Sequence, residues 1–149
     1  MNNSSLFDEK TFYQTFLKDL SNCREEVIIE SPFITSYRMK YFRSVFKKIL
    51  EKGVKIYIFT RDPREHEPEM AIQSEVEIQN FERIGVQTFL CTGNHHRKLA
   101  ILDRKTLWEG SLNMLSQGYS REIMRRIDDM DTAIEMVDFL KLERVIYNG

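Results

Sequence analysis

The stretches NHHRKLAILD, residues 94–103, and GSLN, residues 110–113, decide how the rest of the sequence is interpreted. His96 and Lys98 stand two residues apart, just before the apolar run of residues 99–102. Alternate residues of a strand point to the same face of a sheet, so this spacing predicts that the histidine and the lysine share a face. The GSLN stretch is expected to return to the same neighbourhood across a hairpin. The pattern predicts a site that gathers a nucleophile, a cation and polar donors around a phosphate.

Side chains of these types can cleave a phosphodiester without a metal. The reaction needs a nucleophile, an acid for the leaving oxygen, and positive charge for the non-bridging oxygens. Neutral His96 can attack and form a phosphohistidine that water later hydrolyses, while Lys98 neutralises phosphate charge. Ser111 and Asn113 can donate hydrogen bonds to the same oxygens. A second histidine that would protonate the leaving group is missing from the pattern.

The composition is typical of one domain with a sizeable core, since the 149 residues are 42% hydrophobic. Basic and acidic residues nearly balance, at 22 and 23, so the net charge does not point to a polyanionic partner and leaves room for a local basic patch. Two cysteines are too few for a disulfide framework and favour a reducing compartment. No signal peptide or membrane-spanning segment is recognisable, so we expect a cytoplasmic location and no membrane partner.

Apolar periodicity outside the two stretches predicts alternating helices and strands, followed by an antiparallel hairpin. Residues 1–6 are expected to be frayed, and Asp8 to cap the first helix. Helix–strand alternation implies parallel strands with crossover helices. The fold class is therefore α/β, with a mixed, mainly parallel β-sheet flanked by helices on both faces. The predicted helices cover 8–22, a segment ending at 52, 69–83 and 132–147, and the strands cover 27–29, 54–60, 86–91, 97–102, 106–109 and 122–127.

His96, Lys98 and Asp103, followed by the GSLN stretch, resemble the HKD motif of the phospholipase D superfamily. The stretches IIESPFI, residues 28–34, and GVKI, residues 53–56, are similar to the N-terminal strand and the helix–strand unit of that superfamily. The resemblance covers nearly the whole chain and implies a phospholipase D-like fold. Residues 1–149 are expected to form a single PLD-like phosphodiesterase domain, either as a whole protein or as part of a longer one.

The resemblance also implies a second copy of the motif, because in this superfamily two motifs meet in one active site. This chain carries one copy. His66 is followed by Glu67 and a proline and is interpreted as a surface or core residue, and His95 has Arg97 rather than lysine two residues on. Similarity to the single-motif members implies a homodimer with the site on its two-fold axis, where His96 of the second copy is the acid. Protonation of one histidine in a pocket disfavours protonation of the other, so one can be the base while the other is the acid.

An acidic residue beyond the motif orients the attacking histidine in this superfamily, and Glu122, nine residues after Asn113, matches it. Asp103 belongs to the motif and is expected to have a structural or orienting role. Neither a metal nor a cofactor is expected. The predicted catalytic set is His96, Lys98, Asp103, Asn113 and Glu122, and the predicted substrate contacts are Ser111, His95, Arg97 and Arg61.

Single-motif members of the superfamily are mostly nucleases, and those found in restriction and helicase-associated proteins resemble this chain most. The expected substrate is DNA, or less readily RNA, because arginines around the motif favour binding of a nucleic-acid backbone. One alternative is a non-catalytic nucleic-acid-binding or dimerisation module of a larger restriction or helicase system. Another is a phospholipase, although the sequence shows no interfacial helix. The basic residues are Arg61, Arg64, Arg97, Arg104, Lys105, Arg121, Arg125 and Arg126.

Overall fold

A computed structural model describes residues 3–148 as one seven-stranded sheet with helices packed on both of its faces. The strands are β1 (Ser4–Asp8), β2 (Glu26–Glu30), β3 (Lys55–Arg61), β4 (Gln87–Cys91), β5 (Leu99–Leu102), β6 (Thr106–Gly110) and β7 (Ile123–Asp128). The helices are α1 (Phe12–Ser21), α2 (Ser36–Met39), α3 (Arg43–Glu51), α4 (Pro68–Ile84), α5 (Met130–Phe139) and α6 (Leu142–Asn148), and a short 3₁₀ helix covers Pro63–Glu65. None of these helices is long and apolar enough to cross a membrane.

The strand order is β1-β7-β6-β5-β2-β3-β4. Strands β2, β3 and β4 are parallel, as the helix–strand alternation predicts, and β5 joins β2 antiparallel to begin a meander through β6 and β7. The mixed α/β fold is confirmed. Antiparallel pairings nevertheless outnumber parallel ones among the described strands, so "mainly parallel" is corrected: after β4 the chain crosses over to place β5 antiparallel to β2, and β6, β7 and the edge strand β1 each add a further antiparallel pairing.

The N-terminal segment departs most from expectation. Residues predicted to be frayed form β1, an edge strand that pairs antiparallel with β7; Met1 and Asn2 lie outside the described residues. Backbone hydrogen bonds to β7 do not depend on side-chain hydrophobicity, which is why the polar sequence gave no strand signal. Asp8 does not cap α1. Its Oδ1 accepts the N–H groups of Lys10 and Thr11 in the turn that follows β1.

Apolar residues pack on both faces of the sheet. On the first face, which α1–α4 cover, fully buried Trp108 packs against Phe12 and Phe16 from α1 and donates its indole N–H to Asp19 Oδ2 at 2.9 Å. On the second face, α5 and α6 cover a smaller cluster that includes Ile28. Successive strand residues supply opposite faces, so β2 is buried on both sides, as its continuous apolar run predicts.

Two predicted helices are interrupted and one predicted strand is shorter. The second helix divides into α2 and α3, and the last divides into α5 and α6 at Lys141, whose φ is +55°. Strand β5 begins at Leu99, so His96 and Lys98 lie in an extended segment before the strand rather than on it. Hydrophobic spacing is the same on both sides of such a break, and therefore does not reveal it.

Asp103 occupies the hairpin turn between β5 and β6. Asp103 and Arg104 have φ values of +53° and +52°, and Lys105 N–H donates to Leu102 O at 3.0 Å, which is a type I′ turn. The Asp103 carboxylate accepts the backbone N–H groups of residues 24, 25 and 26, each at 2.9 Å. It thereby ties the turn to the start of β2. Asp103 has the structural role, at the end of β5 opposite to Lys98 and roughly 15 Å along the chain from it.

We predict that Asp103→Ala lowers the free energy of unfolding by about 2 kcal/mol, because backbone donors lose a charged acceptor while the strained turn remains. Urea unfolding followed by circular dichroism measures the change. The control is Asp138→Ala, at an exposed aspartate whose carboxylate has no hydrogen bond within residues 3–148, and it should leave the unfolding midpoint unchanged. Equal midpoints for the two variants would contradict the role given to Asp103.

Candidate active site

The predicted site residues other than Asp103 gather at one end of the sheet. Strand β2 ends there at Glu30, β3 ends at Arg61, and the connecting segment 92–98 follows β4 to the start of β5. Strand β6 ends there at Gly110, and β7 begins there at Ile123. Ligands of open α/β sheets bind outside the carboxyl ends of the parallel strands, and this end is that of β2, β3 and β4.

The histidine and lysine of the motif are in contact. Lys98 Nζ lies 3.3 Å from His96 Nδ1 and donates a hydrogen bond to the His96 carbonyl oxygen at 2.8 Å. The His96 imidazole is exposed, and the ring of Phe33 packs against it at a right angle with 6.0 Å between the centroids. The prediction that the two residues share a face therefore holds for an extended segment as it would for a strand.

The surroundings of His96 favour its neutral form. Partial desolvation lowers the pKa of His96 below its ordinary value, and the positive charges of Lys98 and Arg61 lower it further. His95 has a smaller effect in the same direction. A neutral imidazole keeps a lone pair available at neutral pH, which a nucleophile requires.

The loop after β6 and the start of β7 bring two more predicted residues to Lys98. Ser111 N–H donates to Ile123 O at 2.9 Å, and Ser111 Oγ accepts Ile123 N–H at 3.1 Å. Hydrogen bonds from Ser111 and Ser120, together with the charge of Lys98, lower the pKa of Glu122, so Glu122 is an anion next to the lysine.

The Glu122 carboxylate makes no hydrogen bond to His96 within residues 3–148. Lys98 Nζ lies 3.3 Å from His96 Nδ1, and its charge also lowers the pKa of Glu122. The orienting role of Glu122 stays a prediction.

Asn113 lies two residues beyond Ser111 in the loop after β6. Its Oδ1 is buried and has no hydrogen-bond partner among the described residues. The loop itself is firmly held, since Leu115 N–H donates to Ser31 Oγ at 3.2 Å and Thr35 N–H donates to Leu115 O at 3.0 Å. A buried, unpaired amide oxygen is unfavourable, so Asn113 has hydrogen-bonding capacity that the described residues do not use.

The structure directs His95 and Arg97 away from His96, toward a residue that the sequence did not single out. Glu30 is completely buried at the end of β2, and its Oε1 accepts a hydrogen bond from Arg97 Nε at 2.9 Å. The same oxygen lies 2.9 Å from Arg97 Nη2 and 2.9 Å from His95 Nε2, and the contact with His95 has an ion-pair distance without hydrogen-bond geometry. Its Oε2 is also buried and has no hydrogen-bond partner within the described part of the chain. We name Glu30, His95 and Arg97 the Glu30 cluster. His95 and Arg97, predicted as substrate contacts, are held by this cluster.

Alternation along the extended backbone explains this division. His95 and Arg97 alternate in step with Leu99, so they point toward the second face, on which Leu99 packs. His96 and Lys98 alternate in step with Ala100, which packs on the first face. The alternation of side chains along this segment was therefore the signal that the sequence offered. It shows that neighbours of His96 point elsewhere, but it does not identify their partner.

Arg61 and Glu65 hold the other end of the extended segment. Glu65 accepts the N–H groups of Gly93 and Asn94 at 2.9 and 3.2 Å, which lowers its pKa, and Arg61 Nε donates to it at 3.3 Å. Gly93 and Asn94 have φ values of +83° and +64°, so these bonds stabilise a left-handed turn just before His96. Arg61, a predicted substrate contact, is close enough to His96 to influence its pKa.

His66 lies at the site, contrary to the expectation of an ordinary surface or core residue. Its ring stacks on Phe33 at 5.0 Å between centroids, and Phe33 in turn contacts His96. Burial lowers the pKa of His66. Nothing in the spacing around His66 indicates this position, because Phe33 joins two distant parts of the sequence. Within residues 3–148, no three histidine, cysteine or acidic side chains come together as a metal-ligand group.

The fold and the histidine–lysine pair define the class of α/β enzymes that act on phosphodiester bonds. A family model described as "Cardiolipin synthase, PLD-like domain" matches residues 16–141, and the chain belongs to this family of PLD-like domains. The resemblance to the phospholipase D superfamily is thereby confirmed. Comparison of the sequence with curated proteins gives no match.

Solved structures share the fold. NucT from Helicobacter pylori is 20% identical, with a TM-score of 0.71, and the match covers 93% of this chain and 92% of that one. Nuc from Salmonella typhimurium, a phospholipase D family member, is 16% identical, with a TM-score of 0.72 and the same coverage. The archaeal chromatin protein TrmBL2 is 12% identical, with a TM-score of 0.62, over 96% of this chain and 52% of that one.

We predict that Glu30→Ala lowers the free energy of unfolding by roughly 3 kcal/mol, because it leaves His95 and Arg97 without their buried partner. Glu30→Gln keeps the shape and should cost less. Chemical unfolding measures both variants, and the matched controls are Glu135→Ala and Glu135→Gln, at an exposed position of α5. A Glu30→Ala variant as stable as this control would show that the cluster does not anchor the segment.

Proposed function

We propose that the chain is a metal-independent nuclease that hydrolyses phosphodiester bonds of DNA, or less readily of RNA, with His96 as nucleophile. The observation that carries the proposal is the exposed His96 imidazole with Lys98 Nζ 3.3 Å from its ring nitrogen. A histidine whose neutral form is favoured and a basic side chain are then next to each other, as attack on a negatively charged diester requires.

The chemistry proceeds in two displacements. A lone pair of His96 attacks phosphorus, the bond to the leaving oxygen breaks, and that oxygen takes a proton from a general acid. Water then attacks the phosphohistidine and gives a proton to the conjugate base of that acid, the N–P bond breaks, and the released imidazole is neutral again. Lys98 stabilises the charge on the non-bridging oxygens in both steps, and Ser111 and Asn113 are the additional hydrogen-bond donors.

The general acid is His96 of a second copy, because the chain has one such motif. An isologous dimer brings the same surface of both copies together. An apolar patch supports this location. Leu6 and Ile123 are 63% and 65% exposed, and they line one cavity of about 480 Å³ together with Lys98. A second copy that covers this patch would approach the active site.

Basic residues around the site support a nucleic-acid substrate. Arg97 is about half exposed, Arg125 lines the cavity that contains Lys98, and Arg121 lines the cavity that contains Ser111 and Glu122. In a dimer these charges occur twice, which suits a long phosphate backbone. DNA binding is also what the description of TrmBL2 states for that protein.

We predict that the wild-type protein hydrolyses bis-(4-nitrophenyl) phosphate in excess EDTA and that His96→Ala loses activity by roughly a thousandfold or more, because the nucleophile is absent. Release of 4-nitrophenolate measures the rate. Lys98→Ala should lose roughly a hundredfold, whereas Lys105→Ala, in the turn at the other end of the sheet, should retain wild-type activity.

Activity that EDTA removes, or that survives in a folded His96→Ala protein, would disprove the mechanism. A wild-type protein that binds DNA and turns over neither DNA nor the diester would identify a binding module instead.

We predict that light scattering gives twice the 17.8 kDa mass of the chain and that Ile123→Lys converts the dimer to a monomer with loss of activity. The charge would be buried without a partner at the interface. Ile72→Lys is the matched control, since Ile72 is 63% exposed on α4, and it should remain a fully active dimer. A fully active wild-type monomer at micromolar concentration would refute the shared site.

A further inference from the structure

A second cavity of about 480 Å³ opens next to the active site, between the end of β3 and the start of α4. Its walls include Phe33, Arg61, His66, Met70 and Gln73. The volume is within the range of ligand pockets, roughly 300–1,000 Å³. The Phe33 ring belongs to this wall and also contacts His96 at 6.0 Å. One diester can therefore reach the reacting nitrogen and this cavity together.

The charges around the cavity select against ionic groups. Glu67 and Glu69 are exposed on its rim, and Glu65 is on its wall, so a second phosphate would meet three carboxylates. A cationic head group finds no unpaired carboxylate on the wall, because Glu65 already accepts hydrogen bonds from Arg61 and from two backbone N–H groups, and Glu67 and Glu69 are exposed to water. The Arg61 guanidinium, 5.9 Å from the Phe33 centroid, would also repel it. The occupant that fits these charges is uncharged.

The walls favour a planar ring with hydrogen-bond acceptors. His66 stacks on Phe33 at 5.0 Å and holds it in place, and Met70 adds a polarisable thioether. Gln73 Oε1 accepts Ser36 N–H at 3.2 Å, which leaves the amide NH₂ group without a hydrogen-bond partner within residues 3–148. Stacking surface and an amide donor together suit a heteroaromatic base.

We propose that this cavity is a base subsite: it binds the uncharged nucleobase of the nucleotide adjoining the phosphate that His96 attacks. The inference rests on the proposed phosphodiesterase function and adds to it a reason for preferring nucleic acid over lipid. Because stacking does not distinguish strongly among bases, the subsite recognises a nucleotide without imposing a sequence.

Three esters that release 4-nitrophenolate test the subsite: the 4-nitrophenyl phosphate diesters of thymidine (at its 5′ oxygen), choline and methanol. Wild-type kcat/KM should be roughly tenfold or more higher for the thymidine ester than for the methyl ester, mainly through KM. Met70→Trp fills the cavity and should reduce this ratio to near one. Gln73→Ala should reduce it in part without adding bulk. Ile72→Trp places the same side chain on the exposed side of α4 and should keep the wild-type ratio.

The possible outcomes distinguish failure of the base subsite from failure of the phosphodiesterase function. Hydrolysis of all three esters without preference for thymidine, or a preference that survives in a folded Met70→Trp protein, would overturn the subsite and leave the phosphodiesterase function standing. A preference for the choline ester would overturn it in favour of a lipid head group. Hydrolysis of none of the esters would overturn both proposals.

Discussion

The buried contact between Glu30 and the side chains of His95 and Arg97 is the constraint on which the site depends. A carboxylate removed from water needs cationic or hydrogen-bonding partners, and here the segment before β5 supplies them. Once His95 and Arg97 are turned inward, an extended backbone must turn His96 and Lys98 the other way. Exposure of His96, the proposed nucleophile, therefore follows from the partners that the buried Glu30 carboxylate takes.

Side chains that accept backbone hydrogen bonds fix the other loops in the same manner. Glu65 holds the turn at Gly93 and Asn94, Ser31 holds the loop that carries Asn113, and the Glu9 carboxylate accepts Glu122 N–H at 2.9 Å. Each contact joins a loop to an element far away in the sequence. The active-site end of the sheet consequently consists of irregular backbone in defined positions, as preorganised catalysis requires.

Some elements of this fold are decided by neighbouring residues and others by distant contacts. The buried strands and most helices were predictable because hydrophobic periodicity is read within one element. Strand β1 was missed because an edge strand is defined by the backbone of β7, and Asp103 joined the predicted catalytic set because spacing alone does not say where a hairpin turn points. The breaks between α2 and α3 and between α5 and α6 leave the apolar spacing intact, so the sequence does not predict them.

The sequence by itself determined the family, the mixed α/β architecture and the histidine–lysine pair, because motif spacing and periodicity are properties of neighbouring residues. Only the tertiary structure decided that Glu30 holds His95 and Arg97, that Asp103 supports a turn, and that His66 packs at the site through Phe33. Each of these depends on contacts between distant segments, and the direction of such a contact is set by packing of the whole sheet rather than by local sequence.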